Sequence, residues 1–472
     1  MAATRCVLAL DQGGHASRAL VFDTRGRVLS QAERRIGTQR TGGDRVEHLP
    51  AAVLRSLRQA AEAAIAMLAA GVEIQAAALA TQRSSIACWD RHTGRVLSPV
   101  LSWQDRRAAR RVSALADHGA RVRKLTGLVL SPHYGASKIA WCLRELQPVK
   151  QALKDGRLAA GPLASYLVAG LTAEHNCVAD PVNGARTQLM DIHRGAWSPE
   201  LGALFGVPLE VLPTCVDNRH AFGTLDIAGQ RIPLTVVTGD QPAALFAQGA
   251  PESGVAYMNI GTGAFVQCLT ERQVPDLLRS LLWRDAGRTL YALEGTVNGA
   301  GSALDTMAAK LDLGPAMVMR RLPAWLDGPG EPPLFLNGVG GLGAPFWRPA
   351  FRSRFVGRGD AAACMVAVAE SIVFLLVENL ERMQRRGPRL QRVQVSGGLA
   401  RLDGLCQRLA DLSGLPVDRP ELHEATALGL AHLAGGIEDA PSTPFSRFRP
   451  QHDSSLVARQ RRWQRALAAA LD

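Results

Sequence analysis

Lysine is scarce in this chain: five residues out of 472, against 49 arginines. The net charge of +12 is therefore carried by arginine, and the arginines are scattered. No block of five like charges occurs, which argues against a polyelectrolyte tail or a basic stripe for nucleic acid. None of the eight cysteines forms a Cys-x-x-Cys pair: Cys6, Cys88, Cys142, Cys177, Cys215, Cys268, Cys364 and Cys406 lie far apart. That spacing speaks against a zinc site or a disulfide framework and for buried free thiols. The apolar stretch around Ala63 to Ala80 is broken by Gly71, Glu73 and Gln75, so it reads as an amphipathic helix running into a strand and not as a membrane span. The opening residues lack a charged leader with a long apolar region, which favours a cytoplasmic protein. A Walker phosphate loop is missing as well.

What is there is ordinary globular material: 47% hydrophobic and 20% charged residues, enough chain for two or three domains. Val7–Leu10 reads as a strand that ends in the turn Asp11-Gln-Gly-Gly, and a second and third strand follow at Arg18–Asp23 and from Val28. Residues 50–71 have helical periodicity, and strands are expected near 75–80 and 86–89. Residues 105–170 read as mainly helical. A strand at 234–239 runs into Gly239-Asp240-Gln241 and a helix. The layout strand, glycine turn, strand then recurs at Val255–Cys268, about 250 residues after the first. A repeat at half the chain length suggests two related halves, 1–248 and 249–472. Helices from about 299, at 360–385 and from 402, with strands at 334–337 and 391–395, complete an α/β pattern. From Ala440 a proline-containing stretch leads to an Arg- and Ala-rich helix ending at Asp472, which suits either packing on the second half or assembly.

Four short segments carry candidate chemistry. Asp11, at a strand end, suits a hydrated Mg²⁺, and the turn Gly13, Gly14, His15, Ser17, Arg18 offers amides and a guanidinium to phosphate. Gly261-Thr262-Gly263 offers amides and a hydroxyl at the matching place in the second half. Asp240 is placed to accept a proton from an alcohol, or to cap the helix that follows. Gly397 and Gly398, between a strand and a helix, leave room for a flat base.

These segments belong to a longer series of matches, running in order along nearly the whole chain. It includes Ala9-Leu-Asp-Gln-Gly, Val46-Glu-His, Thr81-Gln-Arg, Ser102-Trp-Gln-Asp-Arg-Arg, Thr126-Gly-Leu-Val, Lys138 with Trp141, and Asn183 with Ala185-Arg-Thr. Gly239-Asp-Gln, Gly261-Thr-Gly, Tyr291-Ala-Leu-Glu-Gly, Gly341-Leu-Gly-Ala-Pro-Phe-Trp, Gly397-Gly and Glu424-Ala-Thr-Ala-Leu-Gly continue it. In this the sequence resembles the FGGY carbohydrate kinases, and within them the glycerol kinases. The resemblance implies two ribonuclease-H-like, actin/hexokinase-type α/β domains with a nucleotide cleft between them. It implies ATP and Mg²⁺ as cofactors, and a small polyol or sugar as the partner, with glycerol first. Nucleic acid and membrane are not expected partners, and a homodimer or homotetramer is the family's habit.

Carried onto matching positions, Asp240 becomes the general base and Asp11 the metal residue. Arg83, Ser84, Trp103, His133, Asp240, Gln241 and Phe265 become the substrate set. Gly13, Gly14, His15, Ser17, Arg18, Gly261, Thr262, Gly263, Gly301, Asp305, Gly397 and Gly398 become the nucleotide set. The chain departs from the glycerol kinases at several of these. Ser84 replaces a glutamate and His133 a tyrosine. Gly14-His15-Ala16 replaces a hydroxyl-rich turn. Asp305 stands where glutamine is frequent, and Leu402 where asparagine is usual. The substrate changes leave erythritol, xylulose or ribulose as alternatives to glycerol. The altered turn leaves a non-catalytic sensor as a third reading.

Overall fold

The computed structural model describes residues 4–328, 330–421, 424–437 and 444–471. The chain divides into two compact units. Unit 1 takes Met1–Pro251, Ser280–Tyr291 and His423–Ser442; unit 2 takes Glu252–Arg279, Ala292–Leu422 and Thr443–Asp472.

Unit 1 is organised around a six-stranded sheet. Its strands run in the order Arg219–Ile227, Gln230–Gly239, Val72–Thr81, Thr4–Gln12, Ala16–Asp23, Val28–Arg35. Thr4–Gln12 pairs antiparallel with Ala16–Asp23 and parallel with Val72–Thr81. Both faces of this central strand are covered, which is why Val7, Leu8, Ala9 and Leu10 are all buried. One cover is the helix Pro50–Ala66. Pro50 starts it without needing an N–H donor, and Val53, Leu57, Ala60, Ala61 and Ala64 form its buried stripe. A second sheet in unit 1 combines Gln39–Thr41, Arg45–His48, Val100–Leu101, Ile86–Asp90 and Leu158–Pro162. The helix Gly135–Glu145 packs against it, burying Ile139, Cys142 and Leu143.

In unit 2 the strand Val255–Ile260 pairs antiparallel with Ala264–Leu269 and parallel with Arg392–Ser396. This is the pairing of Thr4–Gln12 repeated: a hairpin partner on one side, a parallel strand on the other. The sequence repeat is thus a repeat of topology. Arg288–Val297 flanks Ala264–Leu269, while Val417–Pro420 and then Phe445–Phe448 follow Arg392–Ser396.

The helix Ala361–Arg386 is the longest in the chain, capped by Asp360, whose carboxylate accepts the Ala363 amide at 2.8 Å. By length and composition alone it is apolar enough to cross a membrane, which the reading of Ala63–Ala80 as the apolar extreme overlooked. Its apolar surface is buried in unit 2, as in the central helix of a core. The C-terminal helix Ser454–Leu471 packs in the same unit. Trp463 is fully buried there and donates to the Phe335 carbonyl at 2.8 Å, and Arg459 pairs with buried Glu370. Ala440, Pro441 and Asp472 lie outside the described residues. All eight cysteines are free thiols; Cys177 and Cys215 are half-buried and the rest buried.

Candidate active site

Two carboxylates of unit 1 stand at strand ends, and a third acts on Asp11 from the start of a helix. Asp11 lies one residue before the end of Thr4–Gln12. Asp240 opens the helix Asp240–Leu245 at the end of Gln230–Gly239. It is not the cap: Gly239 holds that position, and the Asp240 carboxylate accepts the amide of Gln241 at 2.8 Å. Glu424, at φ 55°, precedes the helix Ala425–Leu433 and belongs to unit 1 although it lies far along the chain. Burial pushes the Asp11 carboxyl up to about 7, with Asp240 and Glu424 adding to the rise and Arg18 opposing it. Burial likewise raises Asp240, against Arg83 and Arg186.

Arg18 sits opposite Asp11 in the hairpin, and so on the same face. Glu33 at 2.8 Å and Glu424 at 3.4 Å hold its guanidinium. Ser17 faces the other way. It is fully buried, and its hydroxyl shares a 2.8 Å hydrogen bond with Ser56 on the helix Pro50–Ala66. Period-2 alternation thus turns the Ser17 side chain into this packing, away from the face that carries Arg18. His15 at the tip is exposed, while Gly13 and Gly14 are half-buried. The Gly13 amide closes the turn on the Ala16 carbonyl at 2.9 Å.

The candidate substrate residues other than Phe265 come from four segments of the same unit. Arg83 donates through its guanidinium to the side-chain Oε1 of Gln241. Its methylenes lie where a Cβ on Gly239 would stand, 2.6 Å from Cδ. Only glycine leaves room there for the Arg83 side chain. Ser84 occupies the left-handed region at φ 66°. Trp103 is 40% exposed, unusual for so large an apolar ring.

His133 donates from Nδ1 to the Trp103 carbonyl at 3.2 Å, which leaves Nε2 of the neutral ring as an acceptor. Burial holds His133 below its ordinary value, so the neutral form is the relevant one near pH 7. A relay joins this wall to the hairpin. The Trp103 amide donates to Ser85 Oγ at 2.9 Å, Ser85 Oγ to Gln82 Oε1 at 3.2 Å, and Gln82 Nε2 to the Gly13 carbonyl at 3.3 Å.

Lys138 lies beneath these loops, 1% exposed, on the helix Gly135–Glu145. Its ammonium donates to three carbonyls: Ser84 at 3.0 Å, Ser102 at 2.8 Å and His133 at 2.7 Å. Burial pulls it down to about 7, with Asp105 working the other way. Three carbonyl acceptors also favour the charged form, since a neutral amine has only two N–H donors.

Unit 2 gathers the second glycine set around the end of Val255–Ile260. The Gly261 amide closes its turn on Gly263 at 2.9 Å. Thr262 is exposed at the tip. The helix Gly301–Lys310 starts directly on this turn: the Gly301 amide donates to the Gly261 carbonyl at 2.8 Å and the Ser302 amide to the Thr262 carbonyl at 3.0 Å. A Cβ on Gly301 would stand 2.9 Å from that Gly261 oxygen. Gly397, at φ 94°, is pressed against Ile260, where a Cβ would meet the carbonyl oxygen at 2.6 Å. Gly398 beside it faces open space. Asp305 is exposed one turn along the helix Gly301–Lys310, and Leu402 is buried in the core. Phe265, half-buried, lies on the strand Ala264–Leu269.

The sequence signature of the FGGY family of carbohydrate kinases matches twice: its N-terminal domain over residues 6–247 and its C-terminal domain over 256–436. The chain belongs to the FGGY family of carbohydrate kinases. It is similar to a glycerol kinase of Methylobacterium nodulans, 35% identical across 99% of this chain and 98% of that one. A glycerol kinase of Alkalilimnicola ehrlichii is 36% identical across 99% and 98%. Among solved structures, Plasmodium falciparum glycerol kinase with ADP superposes with a TM-score of 0.91 at 23% identity, covering 99% of both chains. A xylulose kinase from Rhodospirillum rubrum follows at 0.87 and 19%, covering 98% and 99%. The two-domain FGGY kinase fold is thereby shown, and this FGGY kinase is an ATP-dependent carbohydrate kinase.

Lys138, Gln82, Ser85 and Glu424 were not among the site residues expected from sequence. Lys138 and Glu424 stood inside matched segments, and Gln82 beside Arg83. Their roles appear only once the backbone is folded, because each acts on groups distant in the chain.

Proposed function

We propose that this FGGY kinase transfers the γ-phosphoryl group of ATP to a primary hydroxyl of a small polyol, glycerol first, giving glycerol 3-phosphate. The observation that carries this is the pairing, in one unit, of a buried carboxylate at Asp240 with the Arg83–Gln241 contact beside it. The glycerol kinase names of relatives about 35% identical over nearly the whole chain support the choice of polyol.

In this reading Asp240 takes the hydroxyl proton as the oxygen attacks phosphorus. Arg83 and Gln241 hydrogen-bond the polyol, while Trp103 and Phe265 supply apolar walls. Gly261, Thr262, Gly263, Gly301, Gly397 and Gly398 cradle the nucleotide, with Asp305 nearby. Gly13, Gly14, His15 and Arg18 serve the transferring phosphate. The functional division falls at about residue 248.

Asp11 suits Mg²⁺. It offers hard oxygen donors, and its raised carboxyl is of the kind a divalent cation would relieve. No cluster of three or more His, Cys, Asp or Glu ligands is formed among the described residues. An ion held by Asp11 would keep most of its shell as water and phosphate oxygens. Bound there, it would neutralise charge on the transferring phosphoryl group.

A second reading keeps the chemistry and changes the acceptor. Ser84 removes a carboxylate and His133 offers Nε2 as a lone acceptor, which suits a longer polyol or a ketose such as erythritol, xylulose or ribulose. The test is ADP release with Mg-ATP across glycerol, erythritol, pentitols and ketopentoses. Highest kcat/KM with glycerol supports the first reading. Highest kcat/KM with a tetritol, pentitol or ketose replaces it with the second, and no turnover on any acceptor sinks both.

A further inference from the structure

We propose that Lys138 is a positioning residue, whose ammonium group sets the three substrate-bearing loops in register with one another. The inference rests on the reading above, in which Ser84, Trp103 and His133 line the polyol site.

The chemistry of the contact carries it. An ammonium has three N–H donors, and each has its own main-chain acceptor, at 3.0, 2.8 and 2.7 Å. The acceptors belong to three separate loops, and each is at or next to a substrate residue. Ser84 and His133 offer their own carbonyls, and Ser102 is the residue before Trp103. Ser84 is the loop residue at positive φ, and its carbonyl accepts from Lys138. Asp105 draws on Lys138 electrostatically, but its carboxylate is committed to Arg107 and to the Val46 amide at 2.8 Å. The charge of Lys138 is therefore spent on holding backbone, not on a carboxylate partner.

The same helix braces the Trp103 loop a second time. Trp141, one turn on, stacks under Arg107 with the guanidinium 4.5 Å from the ring centre. The three loops thus share one buried fixed point, and a loss there would be felt as misplacement of the polyol.

Hydrogen exchange and steady-state kinetics on the full-length enzyme test this. In Lys138→Met, which keeps the length of the stem and removes all three donors, amides of residues 83–86, 102–106 and 131–135 should exchange faster, while those of the 11–18 hairpin hold. KM for the polyol should rise about tenfold or more and kcat/KM fall about a hundredfold, with KM for ATP within about twofold of wild type. In Lys138→Ala, added propylammonium, which restores the missing methylenes and the ammonium, should recover part of the lost polyol affinity.

Should both variants fail to fold, wild type still decides. Saturating polyol should slow exchange in the three loops together, and protection of one loop alone overturns the proposal. Unchanged exchange in the folded variants, or KM values for polyol and ATP that rise in parallel, also overturn it. Failure of wild type to phosphorylate any polyol would instead sink the functional reading; the exchange pattern of Lys138→Met would still report on the clamp.

Discussion

Asp240 and Asp11 stand at the ends of two strands that flank Val72–Thr81, and each has its carboxyl raised by burial. A base must be ionised to accept a proton. The acid limb of kcat/KM should therefore lie above 3.8, the ordinary aspartate value, with activity falling as pH falls through it. A pH–rate profile checks this. Asp240→Asn should lower kcat by about 10² to 10⁴. A raised carboxyl contributes most to stability below its unfolded value and loses that contribution as pH rises. Asp240→Asn should therefore melt no lower than wild type at pH 8, so that lost ADP release cannot be blamed on unfolding. The two glycines after Ser396 give a second residue-scale contrast. Gly397→Ala puts a methyl 2.6 Å from a carbonyl oxygen at φ 94° and should cost several degrees of melting temperature. Gly398→Ala, with nothing within 4 Å, should cost almost none.

Among the elements, the helix Ala425–Leu433 does more than its sequence suggests. It packs against Asp240–Leu245 so closely that a Cβ on Gly429 would collide with the Ala243 carbonyl, and Thr426 Oγ1 reaches the Asp240 carbonyl at 3.4 Å. Gly429→Ala should thus push the Asp240 helix out of place and lower kcat about a hundredfold or more in whatever fraction still folds; kcat measured beside the melting curve separates the two effects. The local elements were largely legible in the sequence. The first hairpin, the helix from residue 50, the glycine turn at 261 and the helix at 360–385 declare themselves through periodicity and turn residues. Less legible were the strands Arg219–Ile227, Leu278–Asp285 and Arg288–Val297, whose apolar residues are interleaved with arginine and threonine. For the site, the glycines and aspartates could be read because their chemistry is local. The Lys138 clamp and the Ser17–Ser56 contact could not, since each depends on which face of an element meets a distant partner.

The molecule as a whole binds distant parts of its chain into one unit. Unit 1 contains Ser280–Tyr291, where Ser280 Oγ accepts from Arg186 at 2.8 Å and the Tyr291 hydroxyl donates to the Ile192 carbonyl at 2.8 Å. It also contains the segment with Glu424, Gly429 and Gly436; a Cβ on Gly436 would collide with the Val7 side chain. A fragment of residues 1–251 lacks both segments and should expose the apolar ground they cover. Expressed alone, it should bind a hydrophobic dye and melt without a cooperative transition, while the full chain does neither. No count of residues per domain could show this, because continuity along the chain hides it.

Glu424 reaches Arg18 across more than four hundred residues of sequence. During synthesis, then, the ribosome has made most of the protein before the last carboxylate near Asp11 exists. A chain that ends before residue 424 holds Asp11, Arg83 and Asp240, with Glu33 still paired to Arg18, but it lacks Glu424 and the helix against which Asp240–Leu245 rests. On the function proposed above, a chain that stops short of this helix should turn over ATP poorly, because the proposed base is left without its seat.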